Sequence, residues 1–488
     1  MKRIALLLSV LALMLSAKAQ TLNVNVGQVT YSYKSSQTGD MTYDGGNTLT
    51  ILGKTYNTAD ITDITVDDTT VGNSTINVVY AGSVAKVNVS GDIASMVTAE
   101  VDGANVSIVQ DESLQNTVNY TLSGSSDNGS FYMDGNFKTN FTLSNLTLSS
   151  TSGSPIYIDC GKKIYIMLEG TNTLTDGIGG THKACLYSDG HTEIKGNGTL
   201  NITARTKHGF TSDERCVISG GNINVLAAPG DGLHLNERFT MTGGNININS
   251  VGDGIDVEFR GVSKGTKDQY EYNGWAEISG GNITMTVTGD SSEGLKADST
   301  IVVSNTANIN ISLSGTCTYD ATVRDISGTA GIKTDGAYQQ TGGTIYLLHT
   351  GEGGRGINAA DDITFSGGNA TVVTCGDIYA YGALEKKSHA LKTDKNVYFN
   401  GGNLRIAASA DDAKAWDAGT NCYGYTNGAT LMAIGAKKVT PGTGSTKGYT
   451  NFSNIKITGG QTLTLDGITF NIPTEYSNAK PAIITSKP

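Results

Sequence analysis

Six acidic residues at short, repeated spacing carry the first chemical signal in this chain: Asp231, Asp253, Asp256, Glu258, Glu293 and Asp298. Two of them stand in Gly252-Asp253-Gly254 and Gly230-Asp231-Gly232, where small neighbours leave room for backbone carbonyls to join the side chains. Like charges held this close are unfavourable unless a cation bridges them. Calcium takes 6–8 oxygens from carboxylates, carbonyls and water, at about 2.3–2.6 Å, so Ca²⁺ is the expected cofactor. The alternative is a solvated acidic face in which Lys296–Asp298 and Lys333–Asp335 are ordinary surface ion pairs. The tandem calcium nonapeptide and any zinc-type cysteine spacing are absent, and the six cysteines form no CxxC.

Those residues can share a site only if the chain stacks them, and the repeat supplies the means. One segment reads Gly-hydrophobic-x-x-Asp with variation, as in Gly232-Leu233-His234-Leu235-Asn236, Gly294-Leu295-Lys296-Ala297-Asp298 and Gly331-Ile332-Lys333-Thr334-Asp335. A second approximates Gly-Gly-Asn-Ile and starts at Gly220, Gly243, Gly280, Gly342, Gly367 and Gly401. The offset between the two is 11 residues in five pairs, and units without insertions recur every 22, 23 or 25 residues. Apolar and polar residues alternate within each unit, the mark of a strand with one buried face. Short strands with glycine at corners where φ must be positive describe one coil of a parallel β-helix. No leucine-rich frame is present, and a propeller blade would need about 40 residues.

In that geometry equivalent residues stand about 4.8 Å apart, and the residue after the inward apolar one faces solvent. The first outward file then reads Tyr187, Thr211, His234, Asp256, Lys296, Lys333, Asn358 and Lys392. A second holds Asp189, Asp213, Asn236, Glu258, Asp298, Asp335, Ala360 and Asp394, and a third holds Asp231, Asp253 and Glu293. An insertion of about 15 residues follows Glu258 and carries Arg260, Lys264, Lys267, Tyr270 and Tyr272, with Trp275 beyond it. Another carries Tyr379, Tyr381, Lys386 and Lys387. Loops rising on both sides of one ladder would make a groove, and aromatic faces suit the apolar C–H face of a sugar ring. The alternative is that these tyrosines pack their own loops.

Composition bounds the rest. Glycine is abundant at 63 of 488 residues, proline nearly absent at 6, and charged residues are only 16%, against about 25% in an average soluble protein. Residues 1–19 resemble a secretory signal: Lys2 and Arg3, an apolar run, then Ala17-Lys18-Ala19. Removing its three basic residues would take the net charge from −11 to −14, which argues against nucleic acid as partner. No later apolar run reaches the ~18 residues of a membrane span. The expected organisation is an all-β chain: signal 1–19, a small β-rich N-terminal domain 20–112, a parallel β-helix 113–440, and a C-terminal coil or cap 441–488, working as a monomer. Secretion leaves periplasm, cell surface and medium open.

The Gly254-Ile255-Asp256 and Gly294-Leu295-Lys296-Ala297-Asp298 repeats, with Tyr120-Thr121-Leu122-Ser123-Gly124 and Asn145-Leu146-Thr147-Leu148, resemble a family of secreted bacterial carbohydrate-binding proteins of pectate-lyase-like, right-handed parallel β-helix fold. The resemblance covers roughly residues 115–420. It implies binding of a polysaccharide, including acidic ones, and calcium on outward acidic residues, here Asp231, Asp253 and Asp256, with Glu258. His234, Lys296, Lys333, Tyr270, Tyr272 and Trp275 are the candidate sugar contacts. It also raises a calcium-dependent lyase. β-Elimination of a uronate needs a base for the C5 proton and a cation on the carboxylate, and Lys296 is the matching base. Lys333 and Lys392 repeat that position without the Gly-Asp-Gly cluster, so lysine there can equally be structural. A non-catalytic adhesin or scaffold is the third alternative.

Overall fold

The computed structural model describes residues 20–488 except 40, 45, 181, 183, 261–272 and 479. The signal-like segment 1–19 lies outside the described residues. The fold is all-β, a parallel β-helix, with no α-helix among the described residues. It divides into two compact units, residues 1–201 and 202–488.

In the first unit, alternation such as Thr75–Ala81, buried at Ile76, Val78 and Tyr80, sends every second side chain inward. Thr21–Val26 pairs antiparallel with Val29–Lys34 and with Ile61–Asp67. Residues 20–112 then pass directly into the coils, because Thr75–Ala81 runs parallel to Val118–Ser126 and Asn105–Gln110 parallel to Ser130–Asp134. The latter ladder continues through Ile156–Asp159 to Ala184–Ser188. Its interior is aromatic: Tyr120 stacks on Phe141 at 4.6 Å, and Phe131 meets both edge-on at 5.8 Å.

The second unit shows what the two repeat segments do. The strands His208–Ser212, Leu233–Asn236, Ile255–Glu258, Glu293–Ala297, Ala330–Thr334, Arg355–Ala359, Leu391–Thr393 and Trp416–Asp417 form one parallel ladder. Phe210, Leu233, Ile255, Leu295, Ile332, Ile357 and Leu391 are in register and fully buried. Except at Leu391, which follows Ala390, a glycine stands before each, set by close approach rather than by positive φ: a Cβ on Gly232 would lie 2.7 Å from the Gly254 carbonyl oxygen, and one on Gly254 2.5 Å from that of Gly294. Positive φ belongs to the second glycine of Gly-Gly-Asn, as at Gly221, Gly244 and Gly281. The asparagines that follow stack into a ladder, each amide donating to the next: Asn245 to Asn222 at 2.6 Å, Asn282 to Asn245 at 2.7 Å and Asn308 to Asn282 at 3.1 Å.

Near the C-terminus, Ala482–Ser486 pairs antiparallel with Thr430–Gly435 and Tyr449–Phe452. This occupies a backbone edge that would otherwise be open. Ile457, Phe470, Tyr476 and Ile483 pack on Val373, Ala407, Met432 and Ile434. None of the six cysteines is joined in a disulfide among the described residues. No helix among the described residues is long and apolar enough to cross a membrane.

Candidate functional site

The outward file of the second unit follows the register expected from the repeat. Thr211, His234, Asp256, Lys296, Lys333, Asn358, Lys392 and Asp417 pair strand by strand. The third file also forms: the Gly209, Gly232 and Gly254 amides donate to the Asp231, Asp253 and Glu293 carbonyls. Its carboxylates reach along the ladder as well. Asp231 accepts the Asp253 N–H at 2.9 Å, and Asp253 accepts the Glu293 N–H at 2.7 Å.

Two groups of donor atoms converge among the described residues, and both contain imidazole: His208, Asp231 and His234, then His234, Asp256 and Glu258. Asp231 Oδ2 is 3.0 Å from Nδ1 of both His208 and His234, whose rings stack at 4.3 Å. His234 Nδ1 is 3.7 Å from Asp256 Oδ2, and its Nε2 is 3.8 Å from Glu258 Oε2. Asp253, Glu293 and Asp298 belong to neither group. Asp298 instead accepts the Phe259 N–H at 2.8 Å and supports the end of the adjacent strand.

Electrostatics sort these groups. Burial pushes Asp256 up to about 6 against the pull of Lys296. Burial raises Asp253 and Glu293 as well; the Asp231 and Asp256 charges add to the first against the Glu293 N–H, and Asp253 adds to the second. Burial works against the charge of Asp231 too, but the imidazoles of His208 and His234 outweigh it and hold that carboxyl well below the usual range. Burial lowers His208, which accepts the Asp231 N–H at Nδ1. His234 goes the other way: burial is outweighed by Asp231, Asp256 and Glu258, so its imidazolium is favoured.

The lysines are bound. Lys296 Nζ is 3.0 Å from Asp256 Oδ1, and Lys333 Nζ is 2.9 Å from Glu293 Oε1. Burial opposes the Lys296 charge, yet Asp256, Asp253 and Asp298 together raise its pKa above the ordinary lysine value. Further along, Asp417 joins Lys392 at 3.0 Å and Lys414 at 2.7 Å.

A family model described as carbohydrate-binding domain-containing protein matches residues 102–378. The chain belongs to the carbohydrate-binding domain-containing family. A curated member from Acetivibrio thermocellus is 30% identical over 132 residues, 25% of this chain and 46% of the relative, so the match spans about half of that relative's length. A solved structure titled as a polysaccharide lyase-like protein from C. thermocellum, a gadolinium derivative, aligns at 24% identity and a TM-score of 0.43, covering 55% of this chain and 96% of the other.

The matched stretch holds both convergent groups and also residues that the repeat alone did not bring forward. His208 stands two residues before the inward Phe210, the position filled by Asp231 in the next coil, and its place before Gly209 was the available signal. The sugar contacts expected from the insertions come out differently. Tyr270 and Tyr272 lie outside the described residues. Trp275 opens the strand Trp275–Ile278, which pairs with Arg238–Met241 in another sheet, away from the His234 file. The ends of that insertion tie together through Arg260 and Asn273, at 3.1 and 2.8 Å. Tyr381, on the hairpin Tyr379–Tyr381/Leu384–Lys386, stacks on Tyr319 of the hairpin Thr318–Asp320/Asp325–Ser327 at 3.9 Å.

Proposed function

We propose that this carbohydrate-binding family member is a secreted, non-catalytic polysaccharide-binding protein whose charged outward ladder recognises acidic glycans with the help of a divalent cation. The supporting observation is the convergence of His234, Asp256 and Glu258 at a partly exposed rim beside Lys296 and Lys333. Secretion rests on the signal-like residues 1–19.

The donor set bears on which cation fits. Asp231, Asp256 and Glu258 offer oxygen, as calcium requires, while His208 and His234 add nitrogen, which suits borderline transition metals. Burial is the main cause that raises the carboxyls of Asp253, Asp256 and Glu293, and neighbouring carboxylates add to it. A bound cation would supply positive charge and open coordination positions for sugar oxygens. Lys296 and Lys333 would orient uronate carboxylates, and the ion pairing of Lys296 favours binding over proton abstraction.

The test is retention on polygalacturonate with and without chelator. Binding without release of unsaturated uronide absorbing in the ultraviolet is expected, restored by Ca²⁺ or Zn²⁺ after chelation. No retention on any acidic glycan would remove this function, and new absorbance lost in Lys296→Ala would replace it with a lyase.

A further inference from the structure

We propose a second glycan surface, on the strands Ser130–Asp134, Ile156–Asp159 and Ala184–Ser188, that takes a neutral polysaccharide by stacking its sugar rings on Tyr132, Tyr157 and Tyr187. It rests on the carbohydrate-binding reading of the family and lies within the matched stretch 102–378.

The three tyrosines are in register on adjacent parallel strands. Their neighbours Phe131, Met133, Ile156, Ile158 and Leu186 are buried, while the phenol rings are partly exposed. Ring centroids are 5.2 Å apart for Tyr132–Tyr157 and again for Tyr157–Tyr187. The His182 ring packs on Tyr157 at 3.9 Å and lies 4.8 Å from Tyr187, joining the aromatic cluster. An outward strand position next to water is normally polar, so three half-exposed phenols in one file require an account.

Two residues on, each tyrosine is followed by a carboxylate: Asp134, Asp159 and Asp189. Asp134 pairs with Asp159, and the Asp189 N–H donates to the Ile158 carbonyl at 2.9 Å, which keeps the file continuous. Tyr132 Oη donates to Asp159 Oδ2 at 3.3 Å. The rings recur at the strand interval, Tyr157 tilted by 42° to Tyr132 and at 80° to Tyr187, so they offer apolar faces and edges in turn along the file, and the carboxylates beside them accept hydroxyl donors. The three strands carry no lysine or arginine. Such a surface repels a uronate and suits an uncharged glycan, the reverse of the Lys296–Lys333 file.

The experiment is affinity electrophoresis of the full chain in gels containing hydroxyethylcellulose, galactomannan or polygalacturonate. Retardation by at least one neutral glycan is expected, weakened roughly tenfold or more in Tyr157→Ala and largely kept in Tyr157→Phe. If Tyr157→Ala does not fold, Tyr132→Ser and a tyrosine absorbance titration of the unaltered chain give the same decision. Normal neutral-glycan binding by folded tyrosine variants overturns the proposal. Retardation by polygalacturonate alone overturns it and leaves the acidic-glycan reading standing, whereas no retardation in any gel sinks both.

Discussion

The outward file of the first unit and that of the second occupy the same place in the coil and carry opposite chemistry. Tyr132, Tyr157 and Tyr187 form an aromatic surface bordered by aspartates. His234, Asp256, Lys296 and Lys333 form a mesh of ion pairs. Beneath both, the inward residue is an apolar side chain shut away from water. The coil therefore constrains what points in and leaves what points out free to differ, so recognition is set coil by coil without altering the fold.

The largest effect expected of this division is on stability. Leu295→Ala should cost about 2–5 kcal/mol, read as a lowered denaturant midpoint. Lys333→Ala one position further out should cost about 1 kcal/mol or less, because Glu293 can take up a proton when its partner is lost. Equal losses would mean that the outward ion pairs carry structure as much as the core does.

Within the charged file, the buried partner should matter more than the exposed one. Asp256→Ala leaves the Lys296 ammonium without its main counter-charge and should cost about 2–3 kcal/mol. Lys296→Met should cost about 1 kcal/mol, since Asp256, already pushed up to about 6, can protonate. Chemical unfolding at pH 7.5 checks the order.

The pH profile follows from the same groups. Asp253, Asp256 and Glu293 have folded pKa values above their unfolded ones, so the unfolded chain releases these protons first as pH rises. Their contribution to stability is full below about pH 4 and declines as pH climbs through the folded values near 6 to 7. Asp253→Asn should flatten part of that decline, an effect on the order of 1 kcal/mol, and a bound divalent cation should flatten it too. Thermal melts from pH 4.5 to 7.5, with chelator and with added cation, would show it. The aromatic file has the smallest signal: Tyr132→Phe removes one long hydrogen bond to Asp159 and should change stability by less than about 1 kcal/mol.

How much of this was legible in the sequence depends on whether a coil carries its glycine mark. From Gly209 to Gly356 a closely packed glycine stands before the inward residue, and Ala390 takes its place before Leu391, so Thr211, His234, Asp256, Lys296, Lys333, Asn358 and Lys392 could be read into one file. Tyr132 and Tyr157 follow Ser130-Phe131 and Pro155-Ile156, with no glycine to set the frame, and stayed hidden. The frame also gives position without side-chain reach. Asp253, Glu293 and Asp298 fall in the expected files, yet their oxygens go to a backbone amide, a lysine and the Phe259 amide. The convergence lies instead at His208 and His234, whose imidazoles meet Asp231, Asp256 and Glu258.

The most direct test of the claim that the charged outward file binds polysaccharide is calorimetric titration of polygalacturonate into the intact chain, before and after chelation, beside Glu258→Ala and Lys333→Ala. The account predicts saturable binding that chelation weakens, that Ca²⁺ or Zn²⁺ restores, and that each substitution lowers severalfold while the fold stays intact. Heats that are absent, or that remain the same through chelation and both substitutions, would contradict it.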